Sequence, residues 1–212
     1  MHAHSRPRGI AGLVAAVVLA ASSGGCAGGP PVSSKAAVMA DTTVRQAIAK
    51  EDGLVWASDR LLTWTDFRGT SPHDGVEGAL TGYSLLFGVS CTGSAFAYEV
   101  SAVFLPHQSW VKPIVLADPD ERRYTLRHEQ THFDLTEVHA RRVRKLLREV
   151  YDPCRTGHDN VRAGPERVIA AEADVQRRYD DETRHGLDRV RQRGWDQDVA
   201  GWLSDLEMYR GR

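Results

Sequence analysis

Between Asp118 and Tyr151 the chain has little choice but to be helical, and no other segment constrains the fold as much. Asp118-Pro119-Asp120-Glu121 offers an aspartate to cap the first turn, a proline at the first helical position and a glutamate three residues after the cap. Val143, Leu146, Leu147 and Val150 recur at helical spacing, and Asp152-Pro153 predicts a stop after Tyr151. Typical globular helices run about 8 to 20 residues, so a break after His139 is expected. Gly164-Pro165-Glu166 opens a second predicted helix that passes through Glu172, Gln176 and Tyr179 to His185, with Gly186 as its stop. A shorter helical stretch carries Trp195 and Trp202. Before all of these lie short runs rich in aromatic and β-branched residues, among them Leu61-Leu62-Thr63-Trp64 and the run from Ala97 to Phe104, separated by glycine-rich turns. They read as a small antiparallel sheet, with an edge strand near Val100 to Phe104. Strands first and helices after make an α+β arrangement.

Upstream of the domain the sequence describes export. Arg6 and Arg8 precede an apolar run from Ile10 to Ala21 that is too short to span a bilayer, which reads as a signal peptide over residues 1–25. Small residues then lead into Cys26, as at the sites where bacterial lipoproteins are cut and lipidated; Ser23 stands where a large aliphatic residue is usual, and the competing reading is plain secretion. Residues 26–41, with Gly28-Gly29-Pro30-Pro31, read as a flexible tether, and residues 42–212 as one domain. The expected location is therefore extracytoplasmic, with Cys26 as a lipid anchor to the membrane. Cys91 and Cys154 remain as an even pair in an oxidising compartment, where a disulfide closing the loop between them would contribute about 4 kcal/mol; the competing reading is two buried thiols. A net charge of −1 gives no reason to expect nucleic acid as a partner.

The predicted long helix carries His128-Glu129-Gln130-Thr131-His132. Residues four apart share a helical face, so both imidazoles can aim at one ion with Glu129 beside them. Zinc suits such a site: it takes neutral imidazole nitrogen, and a catalytic zinc keeps three protein ligands and leaves one position open. Glu129 is then the candidate general base for a water attacking a polarised carbonyl. The third ligand must come from elsewhere. His139 returns to the same face but lies about 10 Å along the axis from His132, too far to share the ion, and reads as a surface histidine. A histidine six residues after His132 would complete another known pattern, but Val138 stands there. The second helix offers Glu172, Asp181, Glu182 and His185, and periodicity does not choose among them. Asp134 and Asp180 are candidates to orient the imidazoles through their second nitrogens. Tyr179 would donate to an oxyanion or else be a buried tyrosine with a satisfied hydroxyl. Trp64, Trp110 and Trp195 read as core anchors, and Arg141, Arg142, Arg144, Lys145 and Arg148 as a solvated helix face.

Four segments resemble an uncharacterised group of bacterial proteins described as predicted secreted zinc-dependent proteases. They are Trp64-Thr65-Asp66-Phe67-Arg68-Gly69, Ser109-Trp110-Val111, His128 to Asp134, and Tyr179-Asp180-Asp181-Glu182-Thr183-Arg184-His185-Gly186. The resemblance implies a zincin-like fold, in which a small N-terminal antiparallel sheet is followed by a long active-site helix and a second helix. It also implies Zn2+ as cofactor, and favours His185 as third ligand with Glu182 as the alternative. The expected function is a zinc-dependent metallopeptidase acting on peptide or protein substrates. Two rival readings keep the metal: an amidase acting on cell-wall peptide, and a non-catalytic, zinc-stabilised envelope lipoprotein.

Overall fold

A computed structural model describes residues 43–73 and 77–211. The expected signal peptide, Cys26 and the whole of the expected tether lie outside these residues. The elements are α1 (43–50), β1 (Leu54–Val55), β2 (Ala79–Leu80), β3 (Tyr83–Thr92), β4 (Ala95–Phe104), β5 (Trp110–Val111), α2 (Pro113–Ala117), α3 (Pro119–Glu149), α4 (Pro153–Thr156), α5 (His158–Thr183) and α6 (Arg189–Asp205). This is a mixed α+β fold with an antiparallel sheet, as the sequence implies.

β3 and β4 form a ten-residue hairpin whose register runs from Tyr83 opposite Phe104 to Thr92 opposite Ala95. Leu85, Phe87, Val89, Val100, Ala102 and Phe104 are buried with Phe133, Ala140, Val143 and Leu147 of α3, so the sheet sits on the long helix. A second apolar cluster holds α3 to α5 and α6 through Leu135, Val138, Tyr179, Trp195 and Val199. α3 is thereby wrapped on nearly every side, which explains why fifteen of its residues are buried although nine of them are polar or charged.

Several sequence expectations are corrected. β4 is not an edge: β1 pairs with it, Leu54 opposite Phe104 and Val55 opposite Val103, so the order is β1-β4-β3 and β3 lies at the edge. Leu61 to Trp64 is not a strand, because Asp66 Oδ2 accepts from the Thr63 N–H at 2.8 Å and starts a short 3-10 turn over Trp64–Asp66. α3 does not break after His139 but runs unbroken for 31 residues, since both of its sides are packed. Its start is as expected: Asp118 caps it, accepting from the N–H groups of Asp120 and Glu121 at 2.8 and 3.0 Å. α5 begins at His158, not Gly164, and carries Pro165 inside it. Val161 and Ile169, buried on either side of that proline, hold both halves of the helix on the core.

The arginines of α3 are not all solvated. Arg141 is 1% exposed and Arg144 9%, and both guanidinium groups donate to Glu137, itself 2% exposed. Arg141 also donates to the Leu203 carbonyl and to Glu207, and Arg144 to the carbonyls of Val100 and Tyr209. This network ties the C-terminal segment to α3 and the sheet. His139 is likewise buried, not on the surface; its Nδ1–H donates to the Leu135 carbonyl at 2.9 Å, and burial pushes its pKa down to about 4. Cys91 of β3 and Cys154 of α4 form a disulfide, fastening the far end of the hairpin to the start of the helical layer.

Candidate metal centre

α3 and α5 lie side by side, so the buried face of α5 reads along α3: Gln176 reaches His132 and Thr136, and Tyr179 reaches His128. At this seam three atoms converge. His128 Nε2 and His132 Nε2 are 3.3 Å apart, His132 Nε2 is 3.0 Å from Asp180 Oδ1, and His128 Nε2 is 3.2 Å from the same oxygen. An ion bonded at about 2.0–2.1 Å to tetrahedral donors holds them about 3.3 Å apart, so this triangle has the size of one face of a zinc tetrahedron. Among the described residues, His128, His132 and Asp180 form the grouping that could hold a metal ion.

The proton inventory points the same way. Gln192 Oε1 lies 2.9 Å from His128 Nδ1, and Gln176 Oε1 lies 2.7 Å from His132 Nδ1. An amide oxygen only accepts, so each Nδ1 carries the proton and each Nε2 presents a lone pair. Two lone pairs and a carboxylate oxygen then face one another. Burial opposes charging His132, yet the Asp180 carboxylate, helped by Glu129 and Gln176, lifts its pKa to about 9. Burial would raise Asp180, but the two imidazoles hold its carboxyl well below the usual range. With its own atoms alone, this cluster must take up a proton to reconcile its acceptors; a cation among them could do the same.

Glu129, one residue along from His128, is 3% exposed, and its Oε2 is buried without a hydrogen-bond partner among the described residues. Its carbonyl accepts from the Thr81 hydroxyl at 3.2 Å, which links this turn of α3 to the residue after β2. The histidine side chains are 6% and 10% exposed and that of Asp180 31%, so the cluster opens to solvent on the Asp180 side.

His185 stands at that opening. Its side chain is 51% exposed and its Nδ1 lies 3.8 Å from Asp180 Oδ1, beside the triangle and not in it. α5 ends in three successive left-handed residues, Arg184, His185 and Gly186, at φ 54°, 54° and 81°. This turn brings the Gly186 backbone against His128; a Cβ there would sit 3.1 Å from the imidazole Cγ, so glycine is required by close approach as well as by φ. Glu182 points elsewhere and accepts from Trp195 Nε1 at 3.0 Å. Tyr179 is fully buried and stacks on the His128 ring at 4.7 Å; its hydroxyl lies 2.7 Å from Gln192 Oε1 and 3.2 Å from the His128 carbonyl.

Asp134 does not orient an imidazole; it accepts from Trp56 Nε1 and Gln130 Nε2. Asp180 does not reach the second nitrogens either, because it meets both Nε2 atoms directly. The groups on the second nitrogens are Gln176 and Gln192, which reading the sequence missed. One signal was present: Glu172, Gln176 and Asp180, at i, i+4 and i+8, place a polar stripe along one side of α5.

Residues 121–186 match a family described as "Bacterial protein of unknown function (DUF922)". The match runs from the first turn of α3 to Gly186, so it takes in both helices that bear the donor atoms and leaves the sheet and α6 outside. No curated protein and no solved structure matches the chain.

Proposed function

We propose that this protein is a zinc-dependent hydrolase of peptide bonds, in which His128, His132 and Asp180 hold the ion and Glu129 is the general base. The observation that carries the reading is the convergence of three acceptor atoms at zinc-tetrahedron spacing, with the next residue along α3 contributing a buried carboxylate oxygen that has no partner among the described residues. When bound, zinc would supply a Lewis acid toward a carbonyl oxygen and toward water. The remaining steps fall to the chain. Glu129 takes the proton of the attacking water and hands it to the leaving amine, which its neighbouring position on the same helical turn supports. Asp180 is the ligand on the solvent side, so substrate enters there, past His185. Tyr179 has no catalytic part in this scheme, because its hydroxyl is buried against Gln192 and the His128 carbonyl.

The zincin-like arrangement belongs to this proposal: a small sheet lies on the helix that bears the motif, and a following helix supplies the third donor. Peptide as substrate class accords with the free edge of β3, which begins at Tyr83; among the described residues this strand pairs only with β4 and leaves its other side for an extended main chain. The burial of Tyr83, and the nearby charges of Glu172 and Asp180, hold its phenol protonated. Export and lipid anchoring at Cys26 complete the reading, and the Cys91–Cys154 disulfide is in keeping with an oxidising compartment.

Cleavage of a diverse peptide library by the purified zinc-loaded protein, compared with Glu129→Gln, tests the proposal. The expected result is cleavage by the first and a loss of at least about 10²–10⁴-fold in the second, with equal zinc content. Equal cleavage by both would remove Glu129 from the role of base; no cleavage by either would remove the hydrolase.

A further inference from the structure

Both ligand imidazoles are backed in the same way, by glutamines from different helices. Gln192 of α6 sets its Oε1 2.9 Å from His128 Nδ1, and Gln176 of α5 sets its Oε1 2.7 Å from His132 Nδ1. Neither amide is free to turn over. Gln192 Nε2 donates to Asp196 Oδ1 at 2.9 Å, and that carboxylate also receives the Thr131 hydroxyl and Arg127 Nε. Gln176 Nε2 donates to the His132 carbonyl at 3.0 Å and to Thr136 Oγ1 at 3.3 Å, with Glu172 Oε1 at 3.5 Å. The two glutamines are 1% and 3% exposed, in a layer where an aliphatic side chain of similar size would pack without the cost of burying an amide.

We propose that Gln176 and Gln192 are the positioning residues of the metal centre: a pair of neutral clamps that lock each imidazole with Nδ1 protonated and Nε2 toward the ion. This rests on the zinc reading above. An imidazole free to rotate or to change tautomer would present Nε2 only part of the time, and the fixed amides remove that freedom before metal arrives. Choosing amides where carboxylates could also accept has a purpose in charge. Asp180 and Glu129 already balance a divalent ion, and two carboxylates behind the histidines would make the centre strongly anionic. Glutamine supplies direction and adds no charge.

Zinc affinity of the otherwise full-length protein, measured by competition with a chromophoric chelator, tests the inference on Gln176→Leu, Gln192→Leu and the matching Gln→Glu variants. The leucine variants should bind zinc about 10- to 100-fold more weakly, and glutamate, which keeps an acceptor in place, should return affinity to within about tenfold of the parent. Leucine variants that bind as the parent does would overturn the inference and leave the zinc reading standing; a parent that takes up no zinc would overturn both. If the leucine variants do not fold, the 15N spectrum of the zinc-loaded parent decides alone. Protons held on both Nδ1 atoms and slow to exchange support the clamps, and coordination through either Nδ1 refutes them.

Discussion

What surrounds a buried histidine sets how readily it takes a proton, and α3 shows both directions within two turns. Without a metal, His132, beside Asp180, has its pKa raised to about 9; His139, buried and with the Arg142 guanidinium 3.0 Å from its Nε2, has its pKa lowered to about 4. The second case makes a prediction about acid stability. Because His139 is harder to protonate in the fold than in the unfolded chain, stability is complete above about pH 6.5 and declines as pH falls from there toward 4, where the folded state begins to accept the proton. Urea unfolding of the parent and of His139→Gln between pH 7 and 4.5 should therefore show the parent losing ~2–3 kcal/mol relative to the variant, with all other titrations cancelling in the difference. Parallel curves would mean that His139 is solvated. At this scale the sequence was readable where the chemistry is local. His128, Glu129 and His132 are spaced by the helix itself. Asp180 was not readable as a donor, since its choice over Asp181, Glu182 or His185 depends on how α5 is rotated against α3, which no neighbouring residue reports.

Among the elements, α3 is the one around which the rest is organised, and its charged residues do two jobs. The first half carries the candidate centre; the second carries Glu137, Arg141 and Arg144, which bind the C-terminal segment and the carbonyl of Val100. Removing the shared acid should be costly. Glu137→Ala leaves the buried Arg144 guanidinium without its carboxylate and Arg141 with Glu207 alone, and is expected to destabilise the fold by ~3–5 kcal/mol, read by urea denaturation, whereas Lys145→Ala on the exposed side should change it by less than about 0.5 kcal/mol. A loss below about 1 kcal/mol for Glu137→Ala would show that water reaches the network. The start of α3 could be read from its capping residues; its stop, expected after Tyr151 from Asp152-Pro153, comes two residues earlier at Glu149. Its arginines could not be read correctly, because a charge run looks solvated until the elements that bury it are known, and those come from residues 203–211. The strand order escaped for a similar reason: β1 is two residues long and carries no pattern, yet its pairing moves β4 from the edge to the centre.

Over the whole molecule, the turn after β2, α5 and α6 each deliver something to one small region of α3: Thr81 to the Glu129 carbonyl, Asp180 and Gln176 to the histidines, Gln192 to His128. Such convergence from three distant parts of the chain on two turns of one helix exceeds what packing requires, and a cation would unite it. Calorimetric titration of the metal-free protein with zinc tests this most directly. One zinc per chain is expected, with affinity reduced at least about 10²-fold in Asp180→Ala and changed much less in His185→Ala. No zinc uptake by the parent, or full affinity in Asp180→Ala with loss in His185→Ala, would contradict it.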